Sequence, residues 1–170
     1  MALFTDRILW VRDIDPHRIA VTSCPPGEGD LAAHVAGWKA EGIDLVVSLQ
    51  QPDERARWGV TDEDRHCERM GIAFRSFPIV DHDVPESVEA FAEFTREMHQ
   101  EVMSGKAMLA HCLAGIGRTG LLTSGVLFLL GVPRASIGEV LRRSRGFAMP
   151  ETAEQRAWLE AFYDVLSGSR

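Results

Sequence analysis

Cys112 and Arg118 are the two side chains of this sequence best placed for chemistry, and both belong to the stretch "AHCLAGIGRTG", Ala110 to Gly120. A core helix has no use for three glycines and a charge in one such run. A loop between a strand and a helix N-terminus can instead curl its peptide N–H groups around one point, where the helix dipole adds partial positive charge. Gly115 and Gly117 allow the unusual backbone angles of such a curl. Arg118 offers a planar fork to two oxygens of a tetrahedral dianion. Cys112 then lies at the base of a positively charged cup, a setting that favours a nucleophilic thiolate at neutral pH. The stretch is built to hold a phosphoryl group over a thiolate.

Other readings of the stretch account for fewer of its residues. A buried structural cysteine is the default for any lone one; it suits Cys24 and Cys67 but leaves Arg118 and Thr119 unexplained. Gly115, Gly117 and Gly120 spell G-x-G-x-x-G, and Glu139 lies where a dinucleotide fingerprint places its acid. That acid must end a second strand, however, and Glu139 falls inside the helical pattern "VPRASIGEVLRRS". No lysine precedes Thr119, so a Walker A loop fails as well.

The surrounding pattern supplies a scaffold. "KAMLAH" is an apolar strand feeding the loop, and "TGLLTSGVLFLLG" after it reads as a buried helix. "GIDLVVSLQ" has the continuous apolar character of a strand covered on both faces. Shorter strands are expected at Ile8–Val11, Arg18–Thr22 and in "IAFRSFPI". Helices are expected near Asp30–Glu41, Glu86–Ser104, Arg134–Ser144 and Thr152–Leu166, with another opened by a Thr61–Asp64 capping box and running to about Met70. Alternating strands and helices predict a single α/β domain over residues 1–170, with a mainly parallel central sheet flanked by helices. Sites in such sheets form at the carboxyl ends of strands, where the loop sits.

A net charge of −7 argues against a general nucleic-acid or anionic-membrane surface. The three cysteines are too scattered for a disulfide framework or a zinc site, and they suit a reducing compartment. With no long apolar region near the start, the expectation is a cytoplasmic protein that binds neither membrane nor nucleic acid.

"HCLAGIGRTG" resembles the H-C-x5-R-[ST] signature of the cysteine-based protein tyrosine phosphatases. "FPIVDHDVP" upstream and "PETAEQ" downstream, with the short chain, resemble the small dual-specificity members, most of all the cyclin-dependent-kinase-associated phosphatases. The similarity runs from about Leu45 to Leu166. It implies a protein-tyrosine-phosphatase-like fold in which Cys112 attacks phosphorus and forms a cysteinyl-phosphate. Main-chain amides of Leu113, Ala114, Gly115, Ile116, Gly117 and Arg118, with the Arg118 side chain, would hold the equatorial oxygens. Thr119 would hydrogen-bond the sulfur. His111 would orient the loop from beneath, or be a satisfied core histidine.

The leaving oxygen needs a proton, and Asp81 and Asp83 are the candidate donors. The family pattern D-x-x-x-P fits Asp81 with Pro85, whereas Asp83 with Glu86 reads as an N-cap of the following helix, so Asp81 is preferred. Gln155 falls where the family places a water-positioning glutamine, and equally forms a capping box with Thr152. Cys24 or Cys67 could act as a resolving thiol for Cys112, with structural burial the plainer role. Neither metal nor cofactor is called for, since three consecutive side chains, Asp81 to Asp83, rarely converge on one ion. The apolar Leu113, Ala114 and Ile116 lack the lysines that meet ring phosphates of inositol lipids, which favours a phosphorylated protein as partner and substrate. Phosphotyrosine is expected, with phosphoserine and phosphothreonine open. Rival readings are a phosphoprotein-binding pseudo-phosphatase and a phosphatase of small phosphate esters.

Overall fold

Leu45–Ser48 and Met108–His111 are buried at every position, as strands at the centre of a covered sheet must be. The structure, a computed structural model, describes residues 4–168. In chain order its elements are β1 (Leu9–Trp10), β2 (Ile19–Thr22), α1 (Leu31–Ala40), β3 (Leu45–Ser48), α2 (Pro52–Arg57) and α3 (Glu63–Arg69). Then come β4 (Ala73–Ser76), α4 (Val88–Met103), β5 (Met108–His111), α5 (Gly117–Leu129), α6 (Arg134–Arg145) and α7 (Ala153–Leu166).

The five strands form one sheet in the order β1-β2-β5-β3-β4, parallel except for the antiparallel edge strand β1. This is the α/β architecture expected from the alternating pattern. Side chains alternate across the sheet. Leu45, Val47, Met108 and Ala110 meet a core that includes Phe91 of α4, Val126 of α5, Leu141 of α6 and Phe162 of α7. Val46 and Leu109 face the other way, into a smaller core with Leu31, Val35 and Trp38 of α1 and Cys67 of α3. At Gly125 a Cβ would come within 2.7 Å of the Phe162 ring and 2.8 Å of Thr95, so glycine there lets α5 lie close against α4 and α7.

The register fixes the site. Thr22 and Ser48 both pair with His111, so β2, β3 and β5 end level with one another. Whatever follows those three strands meets at one edge of the sheet.

Two local expectations are corrected and one element is added. Asp83 does not cap the helix that follows: its Oδ1 accepts from the Val84 N–H at 2.8 Å, and Ser87 caps α4 by accepting from the Ala90 N–H at 3.1 Å. The Thr61–Asp64 box does not form either; α3 starts at Glu63 with Asp62 at its N-cap and no side-chain cap bond. Pro52–Arg57 is helical, an element the apolar periodicity misses because none of its residues is buried. The Thr152–Gln155 box does open α7, with reciprocal bonds of 3.0 and 3.1 Å.

Candidate active site

The loop from Cys112 to Ile116 joins β5 to the N-terminus of α5. Its carbonyls are held outward by donors from three directions. The Cys112 carbonyl is 3.2 Å from His111 Nδ1, and the Leu113 carbonyl accepts from the Cys24 N–H at 2.8 Å. The Ala114 carbonyl accepts from Ser23 Oγ and from Arg145 Nη2, each at 2.9 Å. In trans peptides the N–H opposes the carbonyl, so these anchors turn the amides of residues 113–115 toward the inside of the curl. Gly115 makes the curl possible, with φ +71° and a Cβ position only 2.0 Å from the Thr22 carbonyl oxygen. Gly115→Ala is therefore expected to cost about 3 kcal/mol of stability, read as a lowered urea midpoint.

Arg118 is wholly buried, and its guanidinium is fixed on both outer nitrogens. Nη1 donates to Glu54 Oε2 at 2.6 Å and to the Ile79 carbonyl at 2.9 Å. Nη2 donates to Glu54 Oε1 at 2.9 Å and to Asp81 Oδ1 at 2.8 Å. The Glu54 pair is bidentate, the geometry that fixes the guanidinium plane as well as its charge. Burial opposes charge on both partners, yet these bonds hold the Glu54 carboxyl below the usual carboxylate range and Arg118 above its ordinary value. Arg118 Nε is buried with no partner among the described residues.

Glu54 sits in the first turn of α2, directly beyond β3, and also accepts from the Gln51 N–H at 2.9 Å. Sequence reasoning missed it. The available signal was Pro52 followed by two acids just after a strand end, the composition of a helix start.

Beneath the loop, His111 Nε2 lies 2.6 Å from Glu63 Oε1, both side chains being wholly buried. A histidine and a carboxylate removed from water are stable only as a pair, and this one ties the start of α3 to the end of β5. Glu63, too, was not singled out from the sequence. Arg145 was a third omission: it is buried at the end of α6, where burial lowers its guanidinium below the ordinary value while the neighbouring Cys112 opposes that shift.

Of the candidate acids, Asp81 points into the site and Asp83 does not; Asp83 contributes its carbonyl, which accepts from Gln155 Nε2 at 2.9 Å. Gln155 is fully buried, and its amide lies 3.0–3.2 Å from where a Gly117 Cβ would be. It thus caps α7 and also bridges the Asp81–Asp83 turn to the loop. The Glu151 carboxylate approaches the same Gly117 position to 3.2 Å. Thr119 Oγ1 is buried without a hydrogen-bond partner among the described residues. Cys24 lies beside the loop, whereas Cys67 packs under the opposite face of the sheet. Burial pushes both thiols up to about 12, so each stays protonated at neutral pH.

Comparison with known proteins follows the same lines. The tyrosine phosphatase family matches residues 24–161, and the chain belongs to that family. A solved structure of kinase associated phosphatase (KAP) superposes with a TM-score of 0.82 at 20% identity, covering 95% of this chain and 96% of that one. Tk-PTP in its active form gives 0.69 at 28% identity, covering 90% and 95%. PTPMT1 in complex with PI(5)P gives 0.73 at 15% identity, covering 92% and 96%. The chain is a phosphatase of the tyrosine phosphatase family, with a KAP-like fold.

Proposed function

We propose that this single domain hydrolyses phosphate monoesters on proteins, phosphotyrosine first and phosphoserine or phosphothreonine with it, through a cysteinyl-phosphate on Cys112. The observation that carries the reading is the placement of Arg118. Its guanidinium is locked by Glu54 and the Ile79 carbonyl, next to a cup of inward amides, with Asp81 already at its Nη2. Phosphoryl transfer needs mostly positioning and charge stabilisation, and this arrangement supplies both.

Cys112 Sγ attacks phosphorus as the bond to the ester oxygen breaks, and Asp81 gives its proton to that oxygen. The arriving dianion competes with Asp81 for Arg118, freeing the carboxyl to face the leaving group. Water then attacks phosphorus, Asp81 takes its proton, and the thiolate leaves with orthophosphate as product. Thr119 is assigned to the departing sulfur, Gln155 to the attacking water, and His111 to holding the loop. Neither metal nor cofactor enters these steps. The uncharged Leu113, Ala114 and Ile116 support a monophosphorylated protein over an inositol polyphosphate headgroup. The cytoplasm, where such substrates are made, is the proposed compartment; no helix among the described residues is long and apolar enough to cross a membrane.

Rapid quenching of a phosphotyrosine-peptide reaction followed by mass spectrometry tests the mechanism. A phosphate adduct on Cys112 is expected, and turnover without one would defeat it. Asp81→Asn is expected to lower kcat for phenyl phosphate about 10²-fold and to flatten the alkaline limb of the pH–rate profile, because a general acid works only while protonated. Asp83→Asn should keep that limb, since among the described residues its carboxylate accepts from the neighbouring Val84 N–H and does not reach Arg118.

A further inference from the structure

Exposed apolar side chains gather beside the cup. Among the described residues the large apolar side chains left exposed are Phe4 at 52%, Trp58 at 46%, Met70 at 37%, Val80 at 46% and Met103 at 55%. Trp58 and Val80 stand at the mouth of the site, in a cleft that also includes Glu54, Asp81 and Leu113. Trp58 and Leu113 are shared with a second, larger groove of about 530 Å³, whose walls include Phe4, Pro25 and Pro26. The groove is therefore continuous with the phosphate cup through a residue of the loop itself.

The loop's own contacts hold this groove in place. Cys24, next to Pro25, donates its N–H to the Leu113 carbonyl, and Ser23 donates to the Ala114 carbonyl. Trp58 follows directly on α2, the helix that carries Glu54. The apolar walls are thus attached to the same two segments that set the cup and its arginine. An isolated exposed Leu or Trp needs no explanation, but a contiguous apolar surface leading out of a site does.

We propose that this groove is a substrate subsite taking a large apolar side chain two residues from the phosphorylated residue of a peptide. The inference rests on the phosphatase reading above and names the substrate it prefers. An extended peptide advances about 3.3 Å per residue with successive side chains on opposite faces. With the phosphorylated side chain in the cup, it is therefore the side chain two residues along that faces the same surface, toward Leu113 and Trp58. The charges at the mouth favour a peptide over a phosphoinositide. Asp53, Glu54 and Asp81 line it, with Arg57 as the exposed cation among the lining residues, while Arg118 is buried behind them and paired with Glu54 and Asp81. Further ring phosphates would meet those carboxylates, whereas a neutral leucine or phenylalanine would not.

The test uses phosphotyrosine peptides in a glycine background carrying Leu, Phe or Ser at the second position on one side or the other of the phosphotyrosine. kcat/KM is measured for the intact chain, Trp58→Ala and Trp58→Phe, with p-nitrophenyl phosphate as a probe of the cup alone. The intact chain should prefer Leu or Phe over Ser by about tenfold on one side. Trp58→Ala should bring that ratio close to one, and Trp58→Phe should keep most of it. A ratio near one in the intact chain, with p-nitrophenyl phosphate still hydrolysed, overturns the subsite and leaves the phosphatase reading standing. Failure to hydrolyse p-nitrophenyl phosphate defeats that reading and the subsite with it. Faster hydrolysis of phosphatidylinositol phosphate in vesicles than of any peptide, lost in Trp58→Ala, would assign the groove to a lipid and overturn the peptide proposal.

Discussion

Cys112→Ser is expected to lower kcat toward phosphotyrosine peptides by on the order of 10⁴-fold or more, while the protein still binds orthovanadate and phosphopeptide. The substitution exchanges one small buried atom for another, so the anchors of the loop carbonyls on Cys24, Ser23 and Arg145 stay in place. The inward amides and Arg118 therefore still recognise a phosphate dianion. What is lost is the nucleophile. Sulfur is intrinsically the stronger nucleophile, whereas an aliphatic hydroxyl needs a general base to attack. The histidine next to it is not free to act as one: His111 is engaged between the Cys112 carbonyl and Glu63. Equal turnover by the serine variant would show that Cys112 is not the attacking group. Inactivity of the intact chain together with undiminished phosphopeptide binding would instead favour a pseudo-phosphatase.

The parts of this site that residue types and spacing alone made legible are those contiguous in the chain, whereas Asp81 and Gln155 came from the family resemblance. Cys112, Gly115, Gly117 and Arg118 share one loop, and their chemistry follows from their types and spacing. The order of strands and helices, α2 apart, followed from the sequence pattern, since β3 and β5 are buried throughout and leave no ambiguity of face. Glu54, Glu63 and Arg145 escaped for a different reason. Each reaches the loop only because β3 lies beside β5 in the sheet or because α6 folds back beneath it, and such proximity leaves no local periodicity. The N-cap of α4 shows the limit of local patterns: Asp83 followed by Glu86 has the composition of a cap, but Ser87, four residues on, takes the bond. Asp83 is drawn instead into the turn that Gln155 holds against the loop.

Arg118→Lys is expected to lower kcat/KM by about 10³-fold, although the charge is kept. A lysine ammonium is a point charge without the planar fork. It can satisfy neither both oxygens of Glu54 nor the Ile79 carbonyl and Asp81 together, as Arg118 does with four bonds of 2.6 to 2.9 Å. Glu54→Gln isolates the positioning part of that effect. The guanidinium stays but loses its bidentate partner, so a smaller loss of about 10- to 100-fold is expected. If Arg118 were held by the cup alone, Glu54→Gln would match the intact chain. The same pair has a signature in acid. The folded-state titration of Glu54 is depressed by its bonds to Arg118, acting against burial. Its contribution to stability is therefore complete above the unfolded value of about 4.3 and is lost as the pH falls through the lower folded one. Urea midpoints of the intact chain should accordingly exceed those of Glu54→Gln at pH 7 and converge toward them below about pH 4. A gap that stayed constant across that range would mean that Glu54 does not hold Arg118 as an ion pair.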